Sequence, residues 1–154
     1  MPIADTRELL LQELCKLYDA EHRFLEGQVQ MVHRATDPKL QSSMENHIHQ
    51  SRRHIRNLEL FFGELGQEPR RETNEAAKGL VSEAHQGIEE TRSDALRDCA
   101  INAAIIKVEH MEIGSYRSLL TGPHGRAKRR RTPPESAAGG TARRGRADRQ
   151  GKKV

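Results

Sequence analysis

Apolar residues recur every three or four positions in the first part of the chain, the spacing that places them on one face of an α-helix. The first such stripe predicts a helix that begins at Asp5 or Thr6, whose side chains can cap it, and that runs to about Arg34. Its positions alternate in steps of four and three: Leu10, Leu14, Leu17, Glu21, Phe24, Gln28 and Met31. One carboxylate, that of Glu21, therefore lies in the middle of an apolar stripe typical of helix bundles.

A second stripe follows directly and predicts another long helix. Asp37 is a suitable N-cap and Pro38 favours the first helical position, while Gly66 ends the pattern. The stripe consists of Leu40, Met44, His47, Ser51, His54, Leu58, Phe61 and Leu65. Because only a few residues join the two helices, we expect antiparallel neighbours. Counting outward from the connection then brings Glu21 and His54 to within about one turn of the same height.

Two further helices are predicted after a polar linker. The third is short, begins with a cap at Thr73 and ends near Glu90, and two glycines weaken it, so we expect it to pack across the bundle as a lesser element. The fourth begins at Ser93 or Asp94 and ends at Gly122. Its stripe is Ile101, Ile105, Val108, Glu112, Ser115 and Leu119. The predicted fold class is therefore all-α, an antiparallel helix bundle.

Charge is unevenly distributed along the chain and divides it in two. Residues 122–154 contain 11 of the 26 lysines and arginines and only 2 acidic residues, a net charge of +9, whereas residues 1–121 carry −5. The same segment is rich in arginine, glycine, alanine and proline and has no apolar period, which predicts disorder. The sequence thus predicts a helical domain at 1–121 followed by a disordered basic tail at 122–154, and the isoelectric point of 9.3 describes the tail.

Four polar side chains lie in or beside the apolar stripes: Glu21, His54, Glu109 and Glu112. A buried carboxylate or imidazole costs free energy unless it binds something, so a metal site is the first hypothesis. Glu109 and Glu112 lie three positions apart and share a helix face, where two carboxylates repel unless a cation or a proton intervenes. The simpler alternative is that each polar side chain pairs with an arginine or histidine of a neighbouring helix.

The sequence also resembles the YciE/YciF ferritin-like family, bacterial stress-associated proteins commonly described as ferroxidase-like. The resemblance covers about residues 8–120. It rests on blocks whose order and spacing match: Leu17-Tyr18-Asp19-Ala20-Glu21, then His47 and His54, then Gly79-Leu80-Val81, then Val108-Glu109-His110-Met111-Glu112-Ile113, then Ser115-Tyr116.

The resemblance implies a ferritin-like bundle with a di-iron or di-manganese centre. Its ligands would be Glu21, His54, Glu109 and Glu112, and the side chains around them would be His47, His110 and Tyr116. It further implies that the centre binds Fe(II) and oxidises it with oxygen or peroxide, as a ferroxidase does. No catalytic residue beyond the metal ligands is assigned.

One departure from the family bears on assembly. Family members normally continue past the Ser115-Tyr116 block into another long helix that completes the bundle, whereas here the basic tail follows. A bundle without that wall leaves an apolar stripe exposed, so the chain would form a homodimer, be partly unfolded, or be an altered gene product. Out-of-frame translation of a GC-rich gene would explain both the composition of the tail and the missing helix.

Two other functions remain open from the sequence. One is a helical stress or interaction protein that binds no metal and associates through its exposed helix faces. The other is a nucleic-acid-associated protein, because clustered basic residues bind phosphates in a salt-dependent, sequence-independent way. The densest cluster comprises Arg126, Lys128, Arg129, Arg130 and Arg131.

The remaining features limit the class of protein. Cys15 and Cys99 have no metal-ligand spacing and suit free thiols in a reducing compartment. The N-terminus lacks the pattern of a secretory signal, and no apolar run approaches the ~20 residues that span a bilayer. We therefore expect a soluble, cytoplasmic protein without a membrane partner.

Overall fold

The computed structural model describes residues 3–122, which form four α-helices and contain no strand. The helices are α1 (Thr6–Met31), α2 (Pro38–Glu64), α3 (Glu75–Glu89) and α4 (Asp94–Thr121), and a short 3₁₀ turn, Val32–Arg34, extends α1. The all-α prediction is confirmed. No helix in this part of the chain is both long enough and apolar enough to cross a membrane.

The helices begin where the sequence places caps. The carboxylates of Asp5 and Asp37 accept hydrogen bonds from backbone N–H groups in the first turns of α1 and α2, and Ser93 does the same for α4. The cap of α3 is Asn74 rather than the predicted Thr73. The C-terminus of α2 is followed by Gly66 at a φ of 67°, a left-handed conformation that glycine adopts without a steric penalty.

Helix α1 lies in the middle of the bundle and packs against the other three helices. It is antiparallel to α2, because Leu14 packs with Phe62 at one end while Met31 packs with Met44 at the other. Helix α3 packs lengthwise on α4 and α1 rather than across the bundle as the sequence suggested. By contrast, α2 and α4 have hardly any backbone contact. The side of the bundle between them is therefore open.

A buried ionic cluster fastens the α2–α3 connection to α1. Asp19 is buried and accepts hydrogen bonds from the Arg23 Nε (2.6 Å), the Arg71 Nε (2.9 Å) and the backbone N–H of Asn74 (2.9 Å). Burial alone would raise the pKa of Asp19, but these donors outweigh it and hold the pKa below its usual range. The cluster thereby fixes the residue that caps α3.

Candidate metal centre

Three of the four predicted ligands meet in the interior. Glu21 comes from α1, His54 from α2 and Glu112 from α4, and one potential ligand atom of each lies within 4.8 Å of the others. Glu21 and Glu112 reach the interior because they occupy core positions of their helical stripes. Within residues 3–122 this is the one group of three or more histidine, cysteine or acidic side chains with such spacing.

Glu21 is the most constrained member of the group, with a relative exposure of 0%. Its Oε1 atom accepts a hydrogen bond from the Tyr116 hydroxyl at 2.8 Å and lies 3.1 Å from the His54 Nδ1. Its Oε2 atom is buried and has no hydrogen-bond partner among the described residues. A buried carboxylate oxygen without a partner is energetically costly, so this atom needs a donor or a cation.

The protonation of the neighbouring groups points to the same deficit of positive charge. Burial, together with the negative charges of Glu21 and Glu109, raises the pKa of Glu112 to about 7. The hydrogen bond with Glu21 raises the pKa of His54. Burial and the charge of Glu21 also raise the pKa of the Tyr116 hydroxyl, which remains a donor. The site therefore retains protons that ordinary carboxylates and imidazoles would release.

This combination of groups suits a divalent cation. Two carboxylates and one imidazole are ligands that iron and manganese accept, and a cation would both neutralise the paired carboxylates and give Glu21 Oε2 a partner. A groove of about 410 Å³ between α3 and α4 shares no residue with the three ligands. Its Glu83 pairs with Lys107, so it offers no comparable buried charge.

The fourth predicted ligand, Glu109, lies beside this group rather than within it. Its carboxylate pairs with the His47 Nε2 at 3.1 Å and is exposed in part. His110 is exposed, and its ring contacts the backbone carbonyl of Ile106. Tyr116, by contrast, contacts the site directly through its hydroxyl, and its ring lies edge-on to His54.

Sequence reasoning did not single out a buried polar pair, Gln28 and Ser51, between the site and the far end of α1. The Ser51 hydroxyl donates to the Gln28 Oε1 at 3.4 Å. Ferritin-like bundles commonly place a Glu-x-x-His motif on a helix, and here Ser51 occupies the glutamate position three residues before His54. Comparing α2 with that motif would have identified the substitution.

The remaining candidate residues cannot be placed. The predicted nucleic-acid-binding residues Arg126, Lys128, Arg129, Arg130 and Arg131 lie outside the described residues, as does nearly all of the predicted tail.

The fold and the site together match a known class of helical proteins. The family model DUF892, a domain of unknown function, matches residues 5–123, and the chain belongs to this family. Protein YciF of Escherichia coli (strain K12) is 28% identical to the chain over 122 residues, which make up 79% of this chain and 74% of YciF. The predicted relationship to the YciE/YciF proteins is confirmed.

Two solved structures agree with the same assignment, each with a TM-score of 0.75. The crystal structure of the E. coli stress protein YciF is 26% identical, and the match covers 83% of this chain and 81% of that one. YcfI of Rhodopseudomonas palustris, described as a candidate structural protein, is 31% identical and covers 77% and 75% respectively. The described helices therefore have the YciF fold.

Proposed function

We propose that this protein binds a redox-active divalent metal ion, iron or manganese, through Glu21, His54 and Glu112. The observation that carries the proposal is the Oε2 atom of Glu21, which is fully buried, lacks a hydrogen-bond partner and lies beside a second carboxylate. A structural ion pair would leave no such atom. Oxygen ligands with one imidazole favour iron or manganese over the softer metals that cysteine selects.

The surrounding residues have distinct roles in this proposal. The Tyr116 hydroxyl holds Glu21 Oε1, so the second oxygen of that carboxylate is directed at the ion. The proton that Glu112 keeps near neutral pH leaves when the cation arrives, because both neutralise the same charge. A bound iron ion would supply the one-electron chemistry of a ferroxidase, with Fe(II) as substrate and oxygen or peroxide as oxidant.

The di-metal centre implied by the family resemblance requires a second ion. Glu109 and His47 lie next to the first site and pair with each other, and Glu112, one turn from Glu109, can serve both positions. The neutral Gln28 and Ser51 add no charge there. We therefore expect the second ion to bind more weakly than the first.

The proposal is tested by isothermal titration with Mn(II), which does not oxidise during the measurement. The wild-type protein should bind one tight equivalent, and a Glu21→Gln, Glu112→Gln variant should lose at least tenfold in affinity. Glu59→Gln is the matched control, because Glu59 is an exposed glutamate whose partner is Tyr18 rather than a site residue. Wild-type binding no tighter than that of the double variant would refute the site.

A second candidate function follows from the similarity to YcfI, which is described as a candidate structural protein. Under it, the chain is a metal-free helical stress or interaction protein, and the polar interior serves folding alone. The same titration separates the two, since this alternative predicts no tight equivalent in any variant. We also propose a homodimer, because α4 exposes apolar side chains beside the site. Non-specific nucleic-acid binding by the basic tail stays a prediction from its charge.

A further inference from the structure

Helix α4 has an exposed apolar stripe that runs along the open side of the candidate metal centre. Ile106, Ile113 and Leu120 have relative exposures of 46%, 49% and 74%, although aliphatic side chains of this size are usually buried. They are seven residues apart, so they line one face of the helix. Glu109 and Tyr116 fall between them at steps of three and four, which makes the stripe continuous with the site.

Nothing in the rest of this chain has the pattern needed to cover the stripe. Helices α1, α2 and α3 are already packed by their own apolar faces, and α2 hardly contacts α4. Residues 123–154 contain one large aliphatic residue, Val154, and no phenylalanine, leucine, isoleucine or methionine. A stripe with heptad spacing is complementary to another helix with the same spacing, and a second copy of α4 provides one.

We infer that two copies of the chain associate through α4, antiparallel, with the two-fold axis at Ile113. The three apolar residues are symmetric about that position, so Ile106 would face the partner's Leu120 and Ile113 would face its own counterpart.

Charge fits the same register. Glu109 and Arg117 are equally distant from Ile113, so each would face the oppositely charged residue of the partner. Arg117 is exposed, and within residues 3–122 its side chain has no ion-pair partner. The antiparallel arrangement also separates the two basic tails, because the Thr121 residues would lie about 24 Å apart along the helix pair. A parallel pair would bring two segments of charge +9 together.

The dimer would also close the candidate site. The side chain of His54 is 31% exposed on the side where α2 and α4 do not meet, and the partner's α4 would pack there. Excluding water strengthens the electrostatic interactions of the carboxylates. The dimer inference itself does not depend on the metal proposal, since it is tested with metal-free protein.

Sedimentation equilibrium of the metal-free protein at tens of micromolar tests the surface. The wild type should be dimeric, and Ile113→Glu should shift the protein to monomer by at least a tenfold rise in the dissociation constant. Leu60→Glu is the matched control, because Leu60 is 69% exposed on α2 and does not belong to the stripe. A monomeric wild type, or an equal effect of both variants, would overturn the inference. Circular dichroism confirms that each variant is folded.

Cross-linking tests the register in a Cys99→Ser background, where the remaining Cys15 is buried. Ile113→Cys should give a covalent dimer with a short thiol-specific cross-linker, because the two thiols would lie at the axis. Ile106→Cys should not, because its counterparts would be separated by about 21 Å. If Ile106→Cys cross-links as efficiently as Ile113→Cys, the helices are parallel and the antiparallel register is wrong.

Discussion

Glu21, His54 and Glu112 show how far residue-level reasoning reaches in this protein. Polar residues in apolar stripes identified all three, because a stripe position implies burial and burial of charge requires a partner. The sequence also predicted Glu109 as a ligand, but its neighbours were invisible there. Only the arrangement of α2 against α4 places His47 within 3.1 Å of the Glu109 carboxylate.

The raised pKa of Glu112 predicts how the stability of the metal-free protein depends on pH. The unfolded carboxyl titrates near 4.5 and the folded one near 7, so between these values the folded state binds more protons than the unfolded state. The free energy of unfolding should therefore fall from about pH 4.5 to above pH 7, by about 1 to 2 kcal/mol for this partly shielded group. The raised pKa of His54 acts in the same direction.

Urea unfolding at pH 5 and pH 8 measures this effect. Glu112→Gln should flatten the decline, because an amide has no proton to lose in this range. Saturating Mn(II) should reverse it, since the ion stabilises the folded protein most where the carboxylates are ionised. An identical decline in the wild type and in Glu112→Gln would show that Glu112 titrates normally.

At the scale of elements, local signals located the helix ends well and predicted packing poorly. Caps such as Asp5 and Asp37 act within a few residues, so the sequence contains everything they need. The packing of α3 depends on shape across helices. A side chain added at Gly79 or Gly87 would meet open space, so these glycines mark no close crossing. The close approach is at Gly27, where an added Cβ would lie 3.4 Å from a Val81 methyl group.

These contrasting environments predict opposite effects of alanine. Gly79→Ala should raise the free energy of unfolding by about 0.5 to 1 kcal/mol, because alanine restricts the unfolded chain and fits the exposed helix without a clash. Gly27→Ala should give no such gain, since its Cβ must displace Met31 and Val81. Thermal and urea melts of the two variants provide the comparison, and equal stabilisation by both would contradict the packing described for α1 and α3.

At the scale of the whole molecule, the site is defined by three helices and left open on one side. The family match ends at residue 123, where the basic segment begins, so the charge of +9 belongs to a region outside the shared fold. The sequence could predict this division because composition changes abruptly there. It could not predict which helix faces stay uncovered, since that depends on how α2 and α4 splay around α1.

The central claim is that Glu21, His54 and Glu112 bind a metal ion, and anomalous X-ray diffraction from crystals grown with Mn(II) tests it most directly. The account predicts an anomalous peak bounded by these three side chains, about 2.0 to 2.3 Å from the Oε2 atom of Glu21. Glu59→Gln crystals should retain the peak, and Glu21→Gln crystals should lose it. The account is contradicted if wild-type crystals bind Mn(II) elsewhere while this position holds no anomalous density.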